Sequence, residues 1–299
     1  MTQAATTWLF LRQDDGTYAL TPNKKSFLTW DGETSQLTMS LNPEVEAAHW
    51  QLLTRDDIIA QMATATMEMP MDVSSLISYP NFDKGGNERC AVWEGAAAAL
   101  GLDDNFFSQK FDQESFDIHQ DITGLPNGIY KVCVQAFYRE GCDKNWQPTP
   151  AVDLYLAGEE HFYAKFYANE AVTSVVSIFE ERDMCDVGVS TAVGMIPNST
   201  KDVSKWFAND LYWNELETEV KDGTLRIGLR KDTYVFYDWL CFDSFRLLYL
   251  GPKPIIDAIA VPKADTNVPS TIFNLGGQRM SKMQRGVNIV NGKKVVMKQ

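Results

Sequence analysis

Histidine is scarce in this chain: His49, His119 and His161 are the whole supply in 299 residues. No H-E-x-x-H, no G-x-S-x-G and no phosphate-cradling glycine loop occurs, so zinc proteolysis, nucleophile-elbow hydrolysis and nucleotide chemistry have no motif to stand on. A carboxylate pair for glycoside hydrolysis has no fixed spacing, and 40 acidic residues make any chosen pair uninformative. No run of 18 apolar residues is present, which argues against a membrane-spanning helix. The opening Met1-Thr2-Gln3-Ala4-Ala5 lacks the charged start and apolar centre of a signal peptide, as expected if an export signal has been removed or the protein is cytosolic.

Cysteine is also sparse. Cys90, Cys133, Cys142, Cys185 and Cys241 show no C-x-x-C spacing, which speaks against a zinc site or a thioredoxin-like motif. The odd count leaves at least one thiol unpaired within the chain. Cys133 and Cys142 are spaced to bridge a modest loop, and the ordinary reading is five small, mostly buried apolar side chains.

Acidic residues are absent after Asp265, where Arg279, Lys282, Arg285, Lys293, Lys294 and Lys298 follow. The net charge of −13 is therefore a tail of +6 on a body of −19, which marks a domain boundary. Such a body repels phosphate backbones, and the tail lacks a dense basic run, so nucleic acid is not an expected partner.

What is plentiful is apolar and aromatic character, 44% and 12%, enough to bury a substantial core. Residues 1–53 alternate short apolar runs with Asp15-Gly16 and Asp31-Gly32, the pattern of a small β unit. Over 54–75, Thr54-Arg55-Asp56-Asp57 predicts a capped connector helix with Ile58, Ile59, Met62 and Ala65 on one face, ending before Pro70. The Met67-Glu68-Met69-Pro70-Met71 exit is read as packing.

From residue 76 the apolar period becomes two. Phe116, Ile118, Gln120 and Ile122 alternate with Asp117, His119 and Asp121, and Gly124-Leu125-Pro126-Asn127-Gly128 predicts a hairpin into Ile129–Tyr138. Further strands are expected at Val152–Leu156, His161–Phe166, Val172–Phe179, Leu225–Leu229 and Val235–Leu250, with a short helix at Val203–Ala208. Many short strands without alternating long helices predict an all-β, antiparallel β-sandwich over 76–251. Pro252, Pro254, Pro262 and Pro269 mark a linker over 252–270. The stretch 271–299 predicts three short strands with an Asn291-Gly292 hairpin.

Several segments taken in order carry a resemblance. They are Ile77-Ser78-Tyr79-Pro80-Asn81-Phe82-Asp83, Phe116 to Tyr130, Gln135-Ala136-Phe137-Tyr138-Arg139, Val220 to Gly228, and Trp239-Leu240-Cys241-Phe242-Asp243-Ser244-Phe245-Arg246-Leu247. Together they resemble a galactose-binding-like jelly roll, of the carbohydrate-binding-module type, found in secreted and surface proteins of gut-dwelling Gram-negative anaerobes. Phe273 to Arg279 and Gly286 to Val295 resemble the C-terminal sorting domain of the same bacterial group, which implies a secreted or outer-surface protein and secretion machinery as a partner of the basic tail. More loosely, Gly16 to Leu20, Phe27 to Trp30 and His49 to Leu52 resemble one lobe of a ricin-type trefoil.

The jelly-roll resemblance implies a structural calcium ion where first and last strands meet. Asp83 and Asp243 stand at the two carboxylate positions, Asp83 in place of the more usual Glu and Ser244 in place of Asn or Asp. The bland alternative is an Asp83 that caps a turn and an Asp243 that accepts backbone amides. Sugar sites combine flat aromatic faces with a few directed polar groups. Trp93, Trp146, Trp206, Tyr212 and Trp213 are the candidate aromatic faces, with Trp146 first because its Asp143-Lys144-Asn145-Trp146-Gln147-Pro148 surroundings are the most polar. For Trp206 and Trp213 the ordinary reading is that they plug the edge of the sandwich. Asp117 and His119, with Asp121, share a strand face that is either a ligand groove with Lys131, Gln135 and Arg139 or a solvated surface with cross-strand charge pairing. The reading as a whole is a non-catalytic module that binds glycan; a structural or adhesive spacer and, more weakly, a carboxylate-based hydrolase are its rivals.

Overall fold

Asp15-Gly16 supplies the first turn, in which the Asp15 carboxylate accepts from the Thr17 amide at 2.9 Å. It joins strands β1 (Leu9–Arg12) and β2 (Tyr18–Thr21); β3 (Phe27–Asp31) and β4 (Gln36–Ser40) form a second hairpin. Ala19, Phe27 and Ala48 make a small core between them. These residues belong to a computed structural model that describes residues 7–34, 36–82, 92–95, 101–102, 107–112, 115–254, 271–290 and 292–297. The chain divides into two compact units, Met1–Lys253 and Pro254–Gln299.

Helix α1 (Arg55–Gln61) starts as the sequence predicts. The Thr54 hydroxyl accepts from the Asp57 amide while the Asp57 carboxylate accepts from the Thr54 amide, a reciprocal capping box. No residue of α1 itself is fully buried; Met62 and Ala65 just beyond it are the ones that enter the core. Strand β5 (Met71–Asp72) follows.

The sandwich comprises β6 (Gly101–Leu102), β7 (Ser108–Phe111), β8 (Phe116–Ile122), β9 (Gly128–Arg139), β10 (Lys165–Ala168), β11 (Ala171–Ser174), a small β12 (Val189–Thr191) and β13 (Gly194–Ile196) hairpin, β14 (Trp213–Val220), β15 (Leu225–Lys231) and β16 (Trp239–Tyr249). One sheet runs β11-β10-β15-β8, the other β14-β9-β16-β7-β6 with β5 beside β16. Every strand pairing within the two sheets is antiparallel, so the architecture is an all-β antiparallel sandwich. The pairing of β5 with β16, and the hydrogen bond from the Val73 amide to the Leu247 carbonyl, bring residues before 76 into the same sheet.

The predicted hairpin at 123–128 is corrected. Both strands exist, but β8 pairs with β15 and β9 with β14 and β16, so the turn is a corner between sheets. Local alternation specifies that two strands have buried faces; it does not specify whether those faces share a sheet or oppose each other. Here they oppose: Ile118 and Ile122 meet Tyr130, Val132 and Val134 across the core.

On β16 the buried side chains run Leu240 and Phe242, then Phe245, Leu247 and Tyr249. The parity changes because the register shifts between Asp243 and Arg246, where Ser244 takes φ 51°. The other face of the same sheet is covered as well. Phe137, Trp239 and Cys241 pack there against helices α2 (Thr149–Ala157) and α3 (Thr200–Ala208) in a second core.

Helix α2 replaces the strand expected at Val152–Leu156. Pro150 sits in the first turn and Gly158 ends the helix at φ 70°, the ordinary start and stop pair, and both outweigh a five-residue alternation. Helix α3 was legible: the Ser199 hydroxyl accepts from the Asp202 amide, and Val203, Trp206 and Phe207 bury one face. The four described cysteines, Cys133, Cys142, Cys185 and Cys241, are free thiols, so Cys133 and Cys142 are not bridged.

The second unit holds β17 (Ile272–Asn274), β18 (Arg279–Met280), β19 (Gly286–Val290) and β20 (Lys293–Met297) in the order β18-β17-β19-β20, one strand more than expected. Val290 pairs with Lys293 across the expected hairpin, with Gly292 at φ 78°. Among the described residues no helix is long and apolar enough to cross a membrane.

Candidate functional site

Arg139, Trp239 and Phe111 are cross-strand neighbours at the ends of β9, β16 and β7. Two loops and the start of α3 meet above them. Together they border a cleft of about 250 Å³ lined by Gln109, Phe111, Arg139, Trp146, Asn198, Ser199, Thr200 and Trp239.

Trp146 is 55% exposed, the one tryptophan of the sandwich candidates whose ring is open to solvent. It sits 5.4 Å from Phe111 and 5.2 Å from Tyr237, centroid to centroid. Phe236 stacks on Tyr237 at 3.8 Å and is itself exposed, as is Tyr234. The aromatic positions are held firmly. The Trp146 amide donates to the Asp143 carbonyl at 3.0 Å, and its carbonyl accepts from Asn198 Nδ2 at 3.0 Å. Tyr237 is anchored through its amide to Asp112 Oδ1 at 2.8 Å, and the Tyr234 hydroxyl donates to the same atom at 3.1 Å.

Polar groups line the same cleft. Trp239 Nε1 donates to Gln109 Oε1 at 2.8 Å, and Arg139 Nη1 donates to Asn198 Oδ1 at 2.7 Å. The Arg139 guanidinium lies 4.9 Å from the Trp239 ring centre, and burial pulls its pKa below the usual arginine value. Behind the cleft, Lys231 is ion-paired to Asp238, whose Oδ2 also accepts from the Tyr138 hydroxyl at 2.8 Å. Burial raises the Asp238 pKa, and the Lys231 bond opposes that shift.

The other sequence candidates are dispersed. Trp93, Trp206 and Tyr212 are corrected as sugar platforms: all are buried, with Trp93 against Phe82 and Phe245, and Trp206 stacked on Tyr212. Their polar tips are satisfied inside the protein, Trp206 Nε1 by the Val187 carbonyl at 2.7 Å and the Tyr212 hydroxyl by the Ile178 carbonyl at 2.7 Å. Trp213 is half-buried, bonded to Asp210 and covered by the Arg246 guanidinium at 4.0 Å.

Asp117 and His119 lie on β8, in the opposite sheet from the cleft. The neighbour of β8 is β15, so the imagined groove with Lys131, Gln135 and Arg139 does not form. Asp121 is held by Arg226 at 2.6 and 2.7 Å, Asp117 accepts from the Tyr167 hydroxyl at 2.5 Å, and His119 lies between Glu94 and Asp117. That face is a set of internal pairs.

Asp83 lies outside the described residues. Asp243, its expected calcium partner, is buried, and its Oδ1 accepts from the Phe82 amide at 2.7 Å. One carboxylate oxygen is thus engaged by backbone, and among the described residues no three acidic, His or Cys side chains gather.

The sequence reading missed Phe111, Gln109, Asn198 and Tyr237 as members of the site, and it placed Arg139 in a different groove. A signal was present in Tyr234-Val235-Phe236-Tyr237, whose aromatic run was absorbed into a strand that in fact begins at Trp239.

No family model matches the chain, and no curated protein matches it. Among solved structures it is similar to TmCBM61 in complex with beta-1,4-galactotriose, at 15% identity and a TM-score of 0.30, over 58% of this chain and 97% of that one. The sandwich itself rests on the strands and registers above.

Proposed function

We propose that the chain is a carbohydrate-binding module that holds a sugar in the Trp146 cleft without turnover. The observation that carries this is the open Trp146 ring, clustered with Phe111 and Tyr237 beside Gln109, Asn198 and Arg139. The apolar C–H face of a pyranose stacks on an indole, and the polar groups at the rim fix its hydroxyls. A cleft of about 250 Å³ is below the roughly 300–1,000 Å³ of drug-sized pockets, which suits about one sugar ring. The lining residues among those described include no carboxylate, which supports binding over hydrolysis.

Secretion or outer-surface display, with the C-terminal unit addressed to secretion machinery, belongs to the same proposal and is checked by cell fractionation. A calcium ion at Asp83 and Asp243 is separable from it; melting curves with calcium and with chelator check that part.

The test of binding is a glycan array probed with the wild-type chain and with Trp146→Ala. Selective binding is expected, and truncation of an exposed central aromatic should weaken it by about tenfold or more while leaving the melting temperature nearly unchanged. An array silent for the wild type would leave a structural spacer as the better description.

A further inference from the structure

The cleft contains a charge that stacking and neutral hydrogen bonds leave unused. Arg139 is only 4% exposed, yet its side chain lines the cleft. Taking a guanidinium out of water is strongly unfavourable unless an opposite charge and hydrogen bonds replace the water. The replacement inside this protein is partial. Nη1 has Asn198 and the cation has the Trp239 face, but Nε is buried without a hydrogen-bond partner.

No carboxylate among the described residues forms an ion pair with Arg139. Asp238 favours its charge from a distance, but Asp238 Oδ2 already accepts from both Lys231 and Tyr138. A larger hollow of about 490 Å³ beside Glu219 and Arg226 has no comparable group, because Arg226 is bonded to Asp121 and Glu219 to Lys253. Among the described residues Arg139 is therefore a cation without an ion-pair partner, and it borders an open, aromatic-lined cleft.

We infer that the cleft takes an acidic saccharide, a carboxylate-bearing sugar whose ring stacks on Trp146 and whose carboxylate pairs with Arg139. The inference rests on the carbohydrate-binding reading and narrows it. A guanidinium presents a rigid fork of donors matched to a carboxylate, and an ion pair in a site shielded from water is stronger than one on the surface. The chain's net charge of −13 opposes a polyanion at long range. Physiological salt screens that repulsion over about 8 Å, whereas the contact pair inside the cleft is little screened.

The experiment uses the full chain on an array of uronate, sialylated and neutral oligosaccharides, which separates the two sources of a sugar carboxylate. Calorimetry then compares the best acidic binder with its methyl ester, which keeps the ring and removes the charge. The acid should bind and the ester should bind about tenfold or more weakly. In Arg139→Met that difference should vanish, and in Arg139→Lys part of it should remain, with circular dichroism and melting confirming the fold of each. Because Arg139 packs beside Trp239, the acid and ester comparison on the wild type decides the matter without any variant. Equal affinity for acid and ester, or binding of neutral glycans alone, overturns the acidic inference and leaves carbohydrate binding standing. Silence on the whole array overturns both.

Discussion

Trp146, Tyr237 and Asp112 hold φ of 63°, 56° and 52°, a region that bulky side chains rarely occupy. Each costs about 1–3 kcal/mol, and such outliers persist where surrounding contacts over-determine them. Trp146 lines the cleft and Tyr237 packs against Trp146 and Phe111, and the hydrogen bonds through Asp143, Asn198 and Asp112 supply the constraint. The Lys231–Asp238 pair beneath them is almost wholly buried. Removing one partner strands the other charge, so Lys231→Met should destabilise by about 3–5 kcal/mol in urea unfolding. Replacing both, with Lys231→Met and Asp238→Leu, should recover much of that loss, since the uncompensated charge goes with it.

Asp121 has a pKa below the ordinary carboxylate value, chiefly because Arg226 donates to it. A depressed folded pKa contributes stability above the unfolded value, and that contribution is lost as pH falls through the folded value. Asp121→Asn should therefore lower stability at about pH 6, and the difference from wild type should shrink as pH falls below the ordinary carboxylate range. Side-chain exposure of 36% keeps the effect small. The cross-strand reading of Asp117, His119 and Asp121 was available from alternation alone. Arg139 was not, because nothing in its local sequence tells a solvated arginine from one enclosed by a helix 60 residues later.

At the scale of elements, caps and turns were the readable features. The Thr54 capping box forms as read, whereas α3 begins at Thr200 behind a Ser199 cap, three residues before the expected Val203. Ser199 and Thr200 also line the cleft, so the cap and the site are coupled. Ser199→Ala should cost about 1 kcal/mol of stability and weaken saccharide binding as well, measurable by melting and calorimetry on one sample. Helix α2 was misread because Val152-Asp153-Leu154-Tyr155-Leu156 fits two periods at once, and at that length only Pro150 and Gly158 discriminate. The 123–127 corner was misread because partner choice is not a local property. Long-range contacts between β8 and β15 decide it, across more than a hundred residues of chain.

For the molecule as a whole, the cleft is built entirely from residues of the first compact unit. A chain ending at Lys253 should therefore keep both its melting transition and its saccharide affinity, and loss of either would tie the second unit to the site. The negative charge of the body and the positive tail divide near the same place as the two units. Proline and the change of charge sign are the compositional signals from which the sequence reading places a linker there.

The amino-acid sequence by itself determined the β-rich character, the capped start of α1 and Trp146 as the exposed aromatic. These follow from period, cap chemistry and the polarity of immediate neighbours, all of which act over a few residues. Only the tertiary structure decided that Trp93, Trp206 and Tyr212 are core, that β8 and β9 lie in opposite sheets, and that Arg139 is enclosed beside Trp146. Burial and partner choice are set by which distant apolar faces meet, and an apolar or aromatic side chain has the same sequence signature whether it meets the core or a ligand.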